Sequence, residues 1–415
     1  MKTTMVIPTY WGRKKESPHN PDDTVYDHPT PIDSEGTLQR AIESISVLDN
    51  KDFELIIIVA TTTEDIEVEA EKKVKEIIKA SASIARINIS MFGPSQLKKI
   101  SRYMTENNKI DYTELLSLDG YSNVRNMCLF IPHIISSDTI ILIDDDEVFE
   151  DTKYIDKAKQ FIHKKYEGKT IDAVAGYYLQ ENNDFRADIT PKPWTRFWDK
   201  NQSMNSAFDK VIGTQPRLKK TSFVFGGNMI LHKNIFKVIP FDPSIPRGED
   251  IDYLINAKMF GFDFYLDNEL SIKHLPPKKS HPIWNQIRED IYRFIYEKSK
   301  IENQRPIEGM AIVQPKDLGD YPGNFIDKNL EKKIEDTCNS LSDYYLSKNN
   351  IEDSKEALKN IMLAKTDAIP DYDTFKHLCR LQKTWQEMML HIDDDNVRKE
   401  LKNILKTSDL MNQNL

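Results

Sequence analysis

Four carboxylates stand side by side at Asp144-Asp145-Asp146-Glu147, directly after the apolar run Ile140-Ile141-Leu142-Ile143. Like charges held this close repel one another unless a cation compensates. Hard oxygen ligands of this kind suit Mg²⁺ or Mn²⁺, which keep open positions for substrate phosphates. The competing use of the same string is a solvated acidic turn, because acidic runs after strands are common. A second pair, Glu249-Asp250, comes after Arg247-Gly248 and opens a helix-like stretch over Asp250–Phe260 that Gly261 closes. A carboxylate there can serve as a general base, or it can simply stabilise the first helical turn by its charge.

Other residue types offer binding rather than chemistry. In Phe225-Gly226-Gly227-Asn228 the adjacent glycines permit close approach of backbone to a ligand, or mark a bulge. Trp194 and Trp198, with Arg186 in the same long polar segment, could present aromatic faces to a ring-shaped ligand or pack inside the protein.

These groups need elements to hold them. Thr4–Pro8 and Phe53–Thr61 read as buried strands, the second carrying Leu55-Ile56-Ile57-Ile58-Val59-Ala60, with a helix-like Thr37–Val47 between them. Next come a helix over Glu64–Ser81, a strand over Ile87–Met91, a helix over Ser122–Ile135 and a strand over Thr139–Ile143. Alternation of this kind predicts an α/β fold whose mostly parallel sheet is flanked by helices, with ligands at the carboxyl ends of the strands, where the acids fall. Thr170–Leu179 and Phe223–Leu231 read as further strands, and the stretch between them as a functional loop or lid. The stripe Trp284, Ile287, Ile291, Phe294 and Ile295 reads as core. From about residue 301 the texture turns helical over 328–347, 352–365, 373–391 and 395–406. The expected organisation is a catalytic domain over 1–300 and an α-helical C-terminal region over 301–415.

A net charge of −9 over 415 residues disfavours nucleic acid as the main partner, since phosphate neutralisation needs a basic surface. The three cysteines, Cys128, Cys338 and Cys379, are scattered and form no CxxC pair, so neither a disulfide framework nor a zinc cluster is implied. No leader and no run of about 18 apolar residues is visible. The expected setting is therefore cytoplasmic, with peripheral attachment at a membrane left open.

The order of the motifs resembles the family-2-type glycosyltransferases of the GT-A fold. Val6-Ile7-Pro8-Thr9-Tyr10 is similar to that family's opening strand and nucleotide-facing loop, and Gly120-Tyr121-Ser122-Asn123-Val124-Arg125-Asn126 to its Arg-Asn element. Asp144-Asp145-Asp146 is similar to its metal-binding Asp-x-Asp, and Gly248-Glu249-Asp250 to its acidic catalytic element. The likeness covers roughly residues 3 to 278 in motif order.

The resemblance implies a metal-dependent transfer of a hexose-type unit from a UDP- or GDP-type nucleotide diphosphate sugar to a hydroxyl of a carbohydrate or small acceptor. Asp146 would hold Mn²⁺ or Mg²⁺, with Asp144 facing the ribose or the metal through water, and His274 returning to the metal as many GT-A enzymes do. Asp250 would act as base in an inverting reaction, supported by Glu249. Pro8, Thr9, Tyr10, Thr61, Arg125, Asn126, Asp145, Gly226 and Gly227 would line the nucleotide and donor site, with Asn228 bonding a sugar hydroxyl. Trp194, Trp198 and Arg186 would meet the acceptor.

Two features depart from the family. The second strand runs into Thr61-Thr62-Thr63-Glu64-Asp65 rather than directly into acids, and an insertion over Ser17–Ser34 carries Asp22, Asp23, His28 and the prolines Pro18, Pro21, Pro29 and Pro31. That insertion is a candidate cover for the nucleotide or a contact for the acceptor. Rival readings are a retaining GT-A transferase making a small glycosylated solute, a sugar nucleotidylyltransferase, for which Thr9-Tyr10-Trp11-Gly12-Arg13-Lys14-Lys15 is a faint echo of a basic loop, and a non-catalytic binding module. His281 competes with His274 as a ligand, and the C-terminal helices are candidates for self-association, acceptor binding or membrane-surface contact.

Overall fold

The computed structural model describes residues 1–17, 22–277 and 282–406; Pro18, Pro21 and His281, singled out above, lie outside them. A mixed sheet forms the centre. Its long strands are β1 (Thr3–Gly12), β2 (Glu54–Thr61), β3 (Ile89–Phe92), β4 (Thr139–Leu142), β5 (Ala173–Leu179), β6 (Leu218–Lys220), β7 (Met229–His232) and β8 (Phe264–His274). They lie in the order β6-β8-β5-β7-β4-β1-β2-β3.

β3, β2, β1 and β4 are all parallel, with Val6 opposite both Ile56 and Leu142. This half has the order in which chain direction switches sides between β1 and β4, the place where open α/β sheets leave a crevice beyond their carboxyl ends. Both strands are buried along nearly their whole length and mostly apolar, as expected of strands covered on two faces. Successive residues feed opposite cores: Val6, Ile140 and Leu142 face one, and Met5, Ile7, Ile141 and Ile143 the other.

The other half is not wholly parallel. β7 runs antiparallel to both β4 and β5, while β8 is parallel to β5 and breaks register between Leu266 and Ser271. The strand expected over Phe223–Leu231 starts only at Met229, because Gly226 and Gly227 lie in a turn that leads into it. The stretch expected as one long loop between β5 and β7 holds β6 and a helix over Lys200–Val211.

Helices cover both faces. α1 (Leu38–Ser44) and α2 (Glu67–Ala85) pack with one core; α3 (Tyr121–Ile134), α4 (Glu249–Met259) and α5 (Ile283–Glu302) pack with the other. α6 (Leu330–Ser347), α7 (Ile351–Leu363), α8 (Thr374–His391) and α9 (Asp395–Lys406) make the C-terminal region helical. Its apolar stripe is not a separate core. Leu378, Trp385, Met388 and Met389 join the same cluster as Phe236 and Ile131, and the Trp385 indole N–H donates to the Phe236 carbonyl at 3.0 Å. Among the described residues no helix is long and apolar enough to cross a membrane.

Candidate active site

The acidic tip emerges where β4 ends, beside the carboxyl end of β1. Asp146 is buried, and its Oδ2 lies 3.4 Å from Nε2 of His274, the last residue of β8, and 3.4 Å from Nε2 of His28. Burial alone would raise this carboxyl, yet the two imidazoles hold it below the usual carboxylate range. One carboxylate oxygen between two imidazole nitrogens is a mixed hard and borderline donor set of the kind that can hold a divalent first-row ion, without selecting one. His274 also has a buried Nδ1 that meets no protein partner, and its ring stacks on Tyr178 with centroids 4.7 Å apart.

The neighbouring acids have different surroundings. Asp145 turns inward and accepts from the Thr9 hydroxyl at 2.6 Å; burial, then the charge of Asp146, pushes it up to about 7. Glu147 is wholly enclosed, accepts from the Asp144 N–H at 3.0 Å, and is pushed well above the usual range by burial and then by Asp144. Asp144 alone faces the cleft partly exposed, paired to Arg125 Nη2 at 2.7 Å.

Arg125 ties the two acidic motifs together. It is buried in α3, and its Nε also reaches Glu249 Oε1 at 3.2 Å. α4 begins at Gly248, whose φ of +73° is the left-handed turn that glycine tolerates, and where any Cβ would collide with the Arg293 guanidinium. Half-buried Asp250 accepts from the Gly226 N–H at 3.0 Å and from its neighbour Ile251 at 2.8 Å; burial raises its carboxyl. Glu249 is pushed up to about 7 by burial, against the pull of Arg125.

The glycines are small for a reason the sequence does not reveal: a Cβ on Gly226 would press on Arg125, and one on Gly227 would overlap the Glu147 carboxyl. Other expected contacts fall elsewhere. Asn228 is fully buried, its oxygen bonded to Tyr154 and its nitrogen to the carbonyls of Tyr177 and Leu270, so its amide is spent on the fold and not turned to a sugar. Asn126 is likewise closed onto both main-chain groups of Phe241. Pro8 and Thr61 lie buried in the β1–β2 pairing. Tyr10 packs in a triangle of rings with Tyr26 and Tyr121, at 4.5 and 5.1 Å.

That triangle shows how the insertion is anchored. Tyr26 and Tyr121 also meet at 5.1 Å, the Tyr121 hydroxyl accepts from the Asp27 N–H at 2.6 Å, and Asp27 pairs with Arg247 at 2.8 Å. His28 is thus carried to Asp146 by a segment pinned to the starts of both α3 and α4. Trp194 and Trp198 are buried, against Tyr344 and Phe325 respectively, and both line a cavity of about 330 Å³ that Lys200, Arg247 and Asp290 also reach. Arg186 does not line it; it is exposed and pairs with Asp209 at 2.8 Å.

No family model matches the chain, and no curated protein does. Among solved structures, the chain is similar to a mannosyltransferase, PcManGT from Pyrobaculum calidifontis, solved with GDP-Man and Mn²⁺, at 11% identity over 100% of this chain and 88% of that one, with a TM-score of 0.41. S. aureus TarS matches at 11% identity over 97% of this chain and 55% of that one, TM-score 0.44. A glucosyl-3-phosphoglycerate synthase from Mycobacterium tuberculosis, solved with Mn²⁺ and UDP-glucose, matches at 14% over 71% of this chain and 78% of that one, TM-score 0.37. The fold of this chain is read from its own strand order: an α/β mixed sheet flanked by helices.

Proposed function

We propose that this chain is a metal-dependent glycosyltransferase that moves a sugar from a nucleotide diphosphate sugar to a hydroxyl acceptor, with inversion and with Asp250 as base. One observation carries the reading: buried Arg125 spans Asp144 and Glu249, so the acidic tip of β4 and the carboxylates of α4 face one crevice at the switch point of the sheet.

Asp146, His274 and His28 would hold Mn²⁺ or Mg²⁺. When bound, the ion would offset charge developing on a departing diphosphate. Asp144, oriented by Arg125, is the carboxylate available to a ribose hydroxyl or to a metal-bound water. Asp250 accepts from two backbone N–H groups and its carboxyl is raised by burial, which suits a group that must take a proton from an acceptor hydroxyl. The cavity beside Trp194 and Trp198, reached by Arg247 at the start of α4, is the acceptor's entry in this reading.

A nucleotidylyltransferase would need a basic loop free for a triphosphate after the first strand. Arg13 is instead paired with Asp23 and Asp65, both at 3.1 Å. The test is a panel of UDP- and GDP-sugars assayed for Mn²⁺-dependent hydrolysis and for thermal stabilisation. Binding of at least one donor is expected, and Asp250→Asn should abolish transfer while nucleotide affinity stays nearly the same. No response to any nucleotide, or full turnover by D250N, would overturn the assignment or remove Asp250 from it.

A further inference from the structure

A second cluster of ligand-type side chains lies at the opposite end of the sheet. His232 ends β7 opposite Thr139, the first residue of β4, whereas the acidic tip comes after the last residue of that strand. The two places are separated by about 15 Å of extended chain. His163, Asp172 and His232 meet here: Asp172 Oδ1 lies 3.4 Å from His232 Nδ1 and 3.8 Å from His163 Nδ1. The two imidazoles stack with centroids 3.9 Å apart and planes at 14°.

Three observations mark the group as built rather than incidental. Its members come from three segments: the turn after the helix Tyr154–Phe161, the residue before β5, and the end of β7. His163 adopts a φ of +58°, unusual for a residue with a side chain, and is clamped there because its N–H donates to the Ile171 carbonyl at 2.7 Å while Ile171 donates back to Lys164 at 2.9 Å. Asp172 is further fixed by the Asn234 amide at 3.0 Å, and His232 is buried.

We propose that His163, Asp172 and His232 form a binding site for a borderline divalent ion of the Zn²⁺ type. Tetrahedral Zn²⁺ with bonds of about 2.0–2.1 Å places neighbouring ligand atoms about 3.3 Å apart, close to the two separations found. Two imidazoles and one carboxylate leave a fourth position to water; because nearly parallel stacked rings cannot both aim Nδ1 at one ion, binding requires half-exposed His163 to turn its ring out of the stack. The bond that His232 Nδ1 accepts from the Asn234 N–H, at 3.3 Å, is long and is the contact an ion would replace. The ion would staple the small hairpin between His163 and Asp172, which pairs Lys165 with Thr170, onto β7. The role is one of fixing structure and does not depend on the reaction at the acidic tip.

The test uses the full chain carrying Asp146→Asn, to weaken metal binding at the tip, stripped with EDTA and titrated calorimetrically with ZnCl₂. One equivalent of Zn²⁺ is expected to bind and raise the melting temperature. Adding His163→Ala or, separately, Asp172→Asn should weaken binding at least tenfold and abolish the thermal shift. Co²⁺ should give the absorption of a tetrahedral site in D146N and lose it in D146N/H163A. Circular dichroism without metal checks that the variants fold. Zn²⁺ affinity unchanged by either substitution, or no binding to D146N at all, would overturn the proposal.

Discussion

Asp144, Asp145, Asp146 and Glu147 differ in fate although they are adjacent and chemically alike. In the turn after β4, Asp145 is drawn under Thr9 and Glu147 is sealed beneath Gly227, while Asp144 pairs with Arg125 at the cleft and buried Asp146 meets His274 and His28. In the sequence the Asp-x-Asp spacing stood out by its likeness to a family motif. His28 could not be assigned a role, because nothing in the string Tyr26-Asp27-His28 says which surface a loop folds onto. Its position predicts that His28→Ala weakens Mn²⁺ affinity about tenfold or more, measured by calorimetry or by the free Mn²⁺ signal in electron paramagnetic resonance. Equal affinity in H28A and wild type would take His28 out of the ligand set.

At the scale of elements, the turn 225–228 is a crowded joint. Gly227 donates its N–H to the Tyr178 hydroxyl at 2.7 Å and has the Glu147 carboxyl against its Cα. Glycine is required here by crowding and not by φ, which explains why the motif looked like a ligand-facing strand when read from the sequence. Gly227→Ala is expected to destabilise the chain by about 1–3 kcal/mol, the usual cost of overpacking, seen as a lower midpoint in urea denaturation. A midpoint unchanged within error would mean that Glu147 moves aside freely. The α4 start was legible for a sturdier reason: glycine before a pair of acids is a helix N-terminus on local grounds alone.

For the whole molecule, the helical C-terminal region bears on the sheet-bearing half through one continuous core. Trp385 is wholly buried and bonded to Phe236, so Trp385→Ala should cost about 3–5 kcal/mol. Circular dichroism and tryptophan fluorescence should still report coincident unfolding; a separate early transition for the C-terminal helices would show an independent unit. A buried charge network joins the same parts. Lys300 in α5 donates to Asp252 in α4 at 2.6 Å and lies 3.3 Å from Asp242, and His377 in α8 lies 3.7 Å from Asp242. Glu297, wholly buried one turn before Lys300, is pushed up to about 8 by burial, against the pull of Arg293. Its folded-state pKa lies above its unfolded value of 4.5, so its contribution to stability is full below 4.5 and is lost as pH rises through about 8. Glu297→Gln should therefore flatten the fall in stability across that window, read from denaturation midpoints at a series of pH values; an unchanged slope would assign the fall to other groups.

The likeness of their motifs to a known family singled out Asp144, Asp146, Glu249, Asp250 and His274; periodicity along the chain was enough for most elements, the parallel strands β1, β2 and β4 and the four C-terminal helices. These rest on local rules, in which apolar runs make buried strands and a strand's end delivers the next few side chains to the edge of the sheet. The antiparallel course of β7, the inward closure of Asn126 and Asn228, the arrival of His28 and the meeting of His163 with His232 were settled by the folded chain alone. Each of these depends on which side chains from distant segments share a space, and steric exclusion between them leaves no trace in the spacing of either segment.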